Sequence, residues 1–282
     1  MLKLYIIICL ATFVSFGYYH DMVSLLLQSH IVSNNHYLTY QWDNDCLIVI
    51  LHGRGGSSAS WVPVGEWLAK LGYSVLIPDL PWFGETPLSH AFTIDDYAHW
   101  IQDMMVYYTW LLKYKKVVLL WHSNGWRIAT YAVSQGILYC DYLILNNAAG
   151  IPIRPPHTLK KMIFWRWKKV YHVLPCLSSL RTIWYRYIGW HDYLEAEKNP
   201  LLKQTFLNML DATYPDEVYK SISSPTLILR WEHDSYTPLW MSQKIASLIP
   251  NNTFVICRWQ KHGIHLTDPE SVVKEIDQFI KS

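Results

Sequence analysis

Glycine is scarce in this sequence and tryptophan is not: 12 glycines stand against 15 tryptophans in 282 residues. At an ordinary glycine usage of roughly 7%, about 20 would be expected, so about eight are missing. Charge is thin as well, at 16% of residues with a net charge of +2, compared with roughly 25% charged residues in an average domain. That balance gives no reason to expect a nucleic-acid partner. The five cysteines (Cys9, Cys46, Cys140, Cys176 and Cys257) form no CxxC pair and no framework of the secretory kind. Cys46 and Cys257 lie in or beside apolar strand-like runs and are expected to be buried free thiols. The 13 histidines do not cluster at metal-ligand spacing, so neither a metal nor any other cofactor is expected. Internal repeats and low-complexity tracts are absent.

The chain is long enough for one large α/β domain or two small ones, with ample core. It starts with one lysine and a mostly apolar stretch, residues 4–19. A spanning helix wants roughly 17–25 residues, so the stretch is borderline, and no small-x-small cleavage site follows it. It reads either as an uncleaved membrane anchor or as a buried first element. Membrane-held and cytoplasmic placements are both compatible with it.

From residue 37 onward the pattern is regular. Apolar runs of strand length occur at 46–51, 74–78, 116–120, 142–146, 226–230 and 253–257. They are continuous rather than alternating, which suits strands buried on both faces of a parallel sheet. Helix-like stretches lie between them at 60–71, 94–112, 126–136, 239–248 and 269–281. Strand alternating with helix predicts an α/β fold, a mostly parallel, doubly wound sheet with right-handed crossovers.

One interval breaks that rhythm. Between the strands at 142–146 and 226–230 the connection is too long for a simple crossover. From Tyr142 to His191 it holds no Asp or Glu but contains Arg154, Lys160, Lys161, Arg166, Lys168, Lys169, Arg181 and Arg186 among many aromatics. It reads as a helical insertion, a cap over one end of the sheet. Its basic stripe is either a solvated face or an attraction to an anionic membrane surface. The expected organisation is an N-terminal apolar segment over 1–36, a core over 37–148 and 224–282, and the cap over 149–223.

Open parallel sheets bind ligands at the carboxyl ends of their strands. Strand 46–51 leads into Leu51-His-Gly-Arg-Gly-Gly-Ser57, a turn whose backbone N–H groups can hold an anion. It has neither dinucleotide spacing nor a Lys-Ser/Thr pair. Strand 116–120 leads to Trp121-His-Ser-Asn-Gly-Trp126, strand 226–230 to Glu232-His-Asp234, and strand 253–257 to Lys261-His-Gly-Ile-His265. Taken alone, each is bland: a serine after a strand is usually a helix cap, and an aspartate before Thr-Pro is usually a turn.

Together, in the order Ser, Asp, His, these residues resemble the α/β-hydrolase family of the cap-bearing, lipase-like and C–C hydrolase-like type. The resemblance covers residue 37 to the end, through LIVILHGRGGSSASWVPVGEWLAKLGYSVLIPDLPWFGETP, VVLLWHSNGWRIA, PTLILRWEHDSYTP and KHGIHLTDPE. It implies Ser123 as nucleophile, His262 as general base and Asp234 as its orienting acid. The backbone N–H groups of Arg54 and Asn124 would form the oxyanion hole. A serine hydroxyl needs an imidazole to accept its proton, which gives those roles a physical basis. Ser at 123, where other branches carry Asp, argues against haloalkane-dehalogenase and epoxide-hydrolase chemistry. The choice of His262 over His265 follows the family pattern, and Asp79 and Asp211 are weaker candidates for the acid. The implied substrate is a small ester, amide or C–C compound with an apolar group. A non-catalytic binding protein of the same fold, and a cofactor-free haloperoxidase or lyase, are the alternatives.

The departures from that pattern are of one kind. The family places glycine at 121 and often at 126, has LPGFG where this chain has Leu80-Pro-Trp-Phe-Gly84, and has Gly-Glu-His-Asp where it has Trp231-Glu-His-Asp234. It also places glycine near Trp259. Drift would scatter Ala, Ser, Asp and Arg among such sites, and the glycine codons meet tryptophan UGG by one base change only at GGG. One account covers both the tryptophan excess and the glycine deficit: a gene that writes glycine as UGA, translated with UGA as tryptophan. Under it Trp82, Trp121, Trp126, Trp231 and Trp259 are glycines in the cell. Trp42 and Trp190 are further cases, and Trp61 and Trp100 are true tryptophans. A pseudoenzyme would be expected to lose Ser123, Asp234 or His262 before its glycines.

Overall fold

The computed structural model describes residues 27–41, 44–112, 114–147, 191–234, 237–257 and 263–282. The apolar stretch 4–19 and most of the basic interval lie outside them. Among the described residues, no helix is long and apolar enough to cross a membrane.

Eight strands form one sheet: β1 (Gln28–Val32), β2 (Asn35–Tyr40), β3 (Cys46–Leu51), β4 (Ser74–Pro78), β5 (Lys116–His122), β6 (Tyr142–Asn146), β7 (Thr226–Trp231) and β8 (Asn252–Cys257), in the order β1-β2-β4-β3-β5-β6-β7-β8. The pairs β1–β2 and β2–β4 are antiparallel and all other pairs are parallel. The central strands are the continuous apolar runs. Every residue of β4 and β7 is buried, and so is every residue of β5 after Lys116. β8, at the edge, alternates between half-buried and exposed positions.

Alternation along β3 feeds two cores, because successive side chains point to opposite faces. Leu47, Val49 and Leu51 join one cluster and Ile48 and Ile50 the other. Helices α1 (Val62–Lys70) and α9 (Pro269–Lys281) cover the second cluster. Helices α2 (Ile94–Leu112), α3 (Trp126–Ser134) and α7 (Leu239–Leu248) cover the first. The sheet is therefore doubly wound, as the alternation of strand and helix predicts. Between β6 and β7 the described residues form α4 (His191–Ala196), α5 (Pro200–Asp211) and α6 (Asp216–Lys220). A short helix, α8 (Ile264–Thr267), precedes α9.

The sheet also takes in residues 28–40, which the search for apolar runs does not pick out. Cys46 and Cys257, the two cysteines expected to be buried, are half-buried at the start of β3 and the end of β8, and Cys140, for which no such expectation is drawn, is buried. Burial raises all three thiols, Cys46 and Cys140 to about 11 and Cys257 to about 12. They are protonated and inert at neutral pH.

Candidate active site

The carboxyl ends of β3, β5 and β7 meet at one edge of the sheet. β5 ends at His122, a 3-10 turn spans Ser123–Gly125, and α3 begins at Trp126. Ser123 sits at φ +51°, in the left-handed region that L residues rarely adopt and that costs about 1–3 kcal/mol. A strand that must reverse into a helix within three residues forces this on its corner residue, and the corner projects the side chain away from the sheet.

The turn after β3 packs directly against this corner. A Cβ placed on Gly53 would lie 3.0 Å from the Ser123 Cβ and 3.1 Å from the His122 carbonyl oxygen. A side chain at 53 would have to push the two backbones apart by a few tenths of an ångström, and glycine avoids that. Arg54 and the backbone of Asn124, the expected oxyanion donors, are thus the next residues along two segments already in contact. The turn is anchored by buried His52, whose Nδ1–H donates to the Gly53 carbonyl at 2.9 Å while Nε2 accepts the Leu80 N–H at 3.1 Å. Burial lowers the His52 pKa, with the Gly53 bond and the Asp79 charge opposing it.

Asp234, just past β7, is buried. Its carboxylate accepts from Thr237 Oγ1 at 2.6 Å and Thr237 N at 3.2 Å, and it pairs with Arg230 Nη1 at 3.0 Å. Arg230 also donates to the Asp234 carbonyl at 3.1 Å and to Thr237 Oγ1 at 3.1 Å. Burial lowers the Arg230 pKa and the Asp234 charge opposes that shift. This arginine escapes the sequence analysis because it sits near the end of an otherwise apolar strand. The signal for it is the spacing of four from Asp234, read together with a cation where an all-apolar strand is expected.

His262 lies outside the described residues, as do Trp259, Trp42 and Trp190. His265, the other histidine of that loop, is buried on α8, stacked on Trp61 at 4.5 Å and 4.8 Å from the His122 ring. Asp79, one of the weaker acid candidates, is a structural tie. It accepts from Ser58 N at 2.6 Å, Glu85 N at 2.9 Å and His36 Nδ1 at 2.7 Å. Burial would push its carboxyl up, but the N–H groups of Glu85 and Ser58 and the side chains of His36 and Ser58 outweigh it and hold the pKa below its ordinary value. Gly84 has φ +57° and lies so close that any side chain there would strike this carboxylate. Asp211 ends α5.

The tryptophans in question are unevenly accommodated. Trp82 sits at φ +82°, an outlier for a bulky residue. Trp121, Trp126 and Trp231 are fully buried. The Trp121 ring comes within 3.1 Å of a Cβ placed on Gly125. The indole N–H groups of Trp121 and Trp126 have no acceptor among the described residues. Trp231 donates to Asn146 Oδ1 at 2.7 Å. Of the two read as true tryptophans, Trp100 donates to Asn35 Oδ1 at 3.2 Å and stacks on Tyr37. The Trp61 N–H lacks an acceptor too, so an unbonded indole does not by itself separate the two groups.

Above the elbow, α5 brings Phe206 over the Arg54 guanidinium at 5.0 Å and beside Trp82 and Tyr193. Thr205 Oγ1 accepts the Phe92 N–H and the Asn208 side chain donates to the Phe92 carbonyl, each at 2.9 Å. These bonds tie the helix to the loop that carries Trp82.

Residues 48–275 match the model of the Alpha/beta hydrolase family. Among curated proteins, mouse Protein ABHD8 is 26% identical over 84% of this chain and 55% of its own length; the chain spans about half the length of the curated relatives it matches first. Among solved structures, a hydrolase from Oleispira antarctica has a TM-score of 0.66 at 18% identity, covering 89% of this chain and 96% of that one. A thermophilic esterase from Thermogutta terrifontis has a TM-score of 0.63 at 19% identity, covering 91% and 98%.

Proposed function

This chain belongs to the α/β-hydrolase family, and from that premise we propose that it is a serine hydrolase acting on a small ester, amide or C–C substrate through an acyl-enzyme. Ser123 Oγ attacks the carbonyl carbon while its proton passes to His262, and Asp234 stabilises the resulting imidazolium. The backbone N–H groups of Arg54 and Asn124 stabilise the tetrahedral oxyanion, an effect of about 2.7–4 kcal/mol per donor. Collapse expels the alcohol, amine or carbanion, which takes the proton back from His262. Water then follows the same route and releases the acid. Residues 149–223 act as a cap, and half-buried Tyr193, packed on Phe206, offers an apolar face to the substrate.

The observation that carries this reading is the left-handed backbone of Ser123 at the junction of β5 and α3, with Gly53 against its Cβ. Strain of this kind persists where the surroundings enforce it, and it concentrates at functional sites. The Arg230–Asp234 ion pair favours a second reading, a non-catalytic binding protein, because a guanidinium on Asp234 competes with an imidazolium for its charge.

The tryptophans belong to the same proposal. Trp82, Trp121, Trp126, Trp231 and Trp259 stand where the cell inserts glycine. The positive φ of Trp82 supports this at one of the positions.

A fluorophosphonate probe tests the function. It is expected to label the full chain or its form with glycine at those five positions, and labelling is expected to vanish in Ser123→Ala. No labelling of either form would favour the binding protein.

A further inference from the structure

Arg230 is the last residue but one of β7, a strand buried along its whole length. Its side chain is 2% exposed and that of Asp234 0%, with Nη1 3.0 Å from Asp234 Oδ2. Asp234 is its carboxylate partner among the described residues, and the fork reaches further. Nη1 also donates to Thr237 Oγ1 at 3.1 Å and to Asn147 Oδ1 at 3.5 Å, while Nη2 donates to the Asp234 carbonyl at 3.1 Å. Asn147, just past β6, has φ +48°, and its Oδ1 accepts the backbone N–H of Trp231 at 3.1 Å. That bond is to the main chain, so glycine at 231 would keep it. One guanidinium thus joins the ends of β6 and β7 to the turn that carries Asp234.

The carboxylate does not need a cation in order to be hydrogen-bonded. Thr237 gives Oδ2 its O–H at 2.6 Å and Oδ1 its backbone N–H at 3.2 Å. A buried ion pair adds little net stability, because desolvation offsets the attraction. What Arg230 adds is direction and charge. Its Nη1 shares Oδ2 with the Thr237 hydroxyl, and with Thr237 N on Oδ1 the plane of the carboxylate is fixed. Its charge offsets part of the attraction that Asp234 exerts on an imidazolium and repels the imidazolium directly.

We propose that Arg230 is a positioning residue for the reaction: acting through Asp234, it fixes the plane of the carboxylate and sets how far the pH can fall before the general base is lost. This rests on the hydrolase reading and concerns the tuning of that same site. The competition that favours a binding protein becomes, in an active enzyme, an acid limb displaced to lower pH. Other charged or titratable groups stand around this edge of the sheet. Glu232 and His233 on the same turn are exposed, Arg54 lies in the turn after β3, and His122 and His265 are buried at the end of β5 and on α8. All of them are common to the proteins compared below, which differ only at 230.

The test is kcat/KM for p-nitrophenyl butyrate against pH, on the full chain in whichever form takes the fluorophosphonate. The acid limb is expected below the ordinary histidine value of about 6.5. Arg230→Gln is expected to move it up by about one pH unit. Arg230→Lys keeps the charge but not the fork, so its limb is expected near that of the unsubstituted chain, with kcat reduced. A residue that only held the fold would lower Tm in both variants and leave both limbs in place, and that result overturns the proposal while the hydrolase stands. If Arg230→Gln does not fold, the unsubstituted chain decides: a limb at or above about 6.5 overturns the proposal and one below it supports it. Absence of both labelling and hydrolysis removes the hydrolase reading and this inference with it.

Discussion

His52 shows how much one buried side chain can settle. Leu80 N–H is a donor, so Nε2 must accept, and the proton of the neutral ring sits on Nδ1, facing the Gly53 carbonyl. Charging the ring would set an N–H against an N–H. Because the folded pKa is depressed, the stability it contributes is complete above the unfolded value of about 6.5 and is lost progressively as pH falls from there toward the lower folded value. His52→Leu strands the Leu80 N–H and is expected to cost about 1–3 kcal/mol at neutral pH. That deficit should narrow at about pH 5, where the unfolded wild-type chain takes up a proton that the native ring resists and the Leu variant lacks the titrating group. Urea unfolding at the two pH values checks this; a gap that widens on acidification contradicts the assigned tautomer. At this scale the sequence is legible where a residue type and its place after a strand coincide, as for Ser123 and Asp234. It is silent on Arg230 and on the Asp79 tie, because both are defined by partners that only the folded chain brings together.

At the scale of elements, the central strands are visible because burial on both faces writes an uninterrupted apolar run. β1 and β2 are not, since they carry His30, His36 and Asn35 on an antiparallel margin where one side meets water or polar partners. α9 is legible at its start: Asp268 accepts from Ser271 N at 3.2 Å and Ser271 Oγ at 2.6 Å, and Pro269 occupies the first turn. Asp268→Ala is expected to destabilise the protein by about 0.5–2 kcal/mol, the usual cost of losing such a cap. Thermal unfolding measures this, and a change within error would mean that α9 is held by its buried Val272, Val273 and Ile276 alone.

At the scale of the whole molecule, the proposed recoding traces the imbalance between glycine and tryptophan to the gene, and codons test it. UGA is expected at codons 82, 121, 126, 231 and 259, and UGG at 61 and 100. Peptide masses from the native host should carry glycine at the first five. UGG at 121 and 231 would sink the proposal, and the chain would then have to build its elbow around two indoles.

The stack of Trp126 on Tyr219, at 5.5 Å with the rings 13° apart, fixes how far the residues around α6 stand off from α3. With glycine at 126 that spacer disappears, and a void of indole size is unfavourable by several kcal/mol unless it closes. The natural way to close it is for Tyr219 and Tyr214, whose rings lie against the indole, to settle inward. The identity of one residue in the elbow helix thus sets how closely the segment around α6 can draw toward the helix that follows the Ser123 turn.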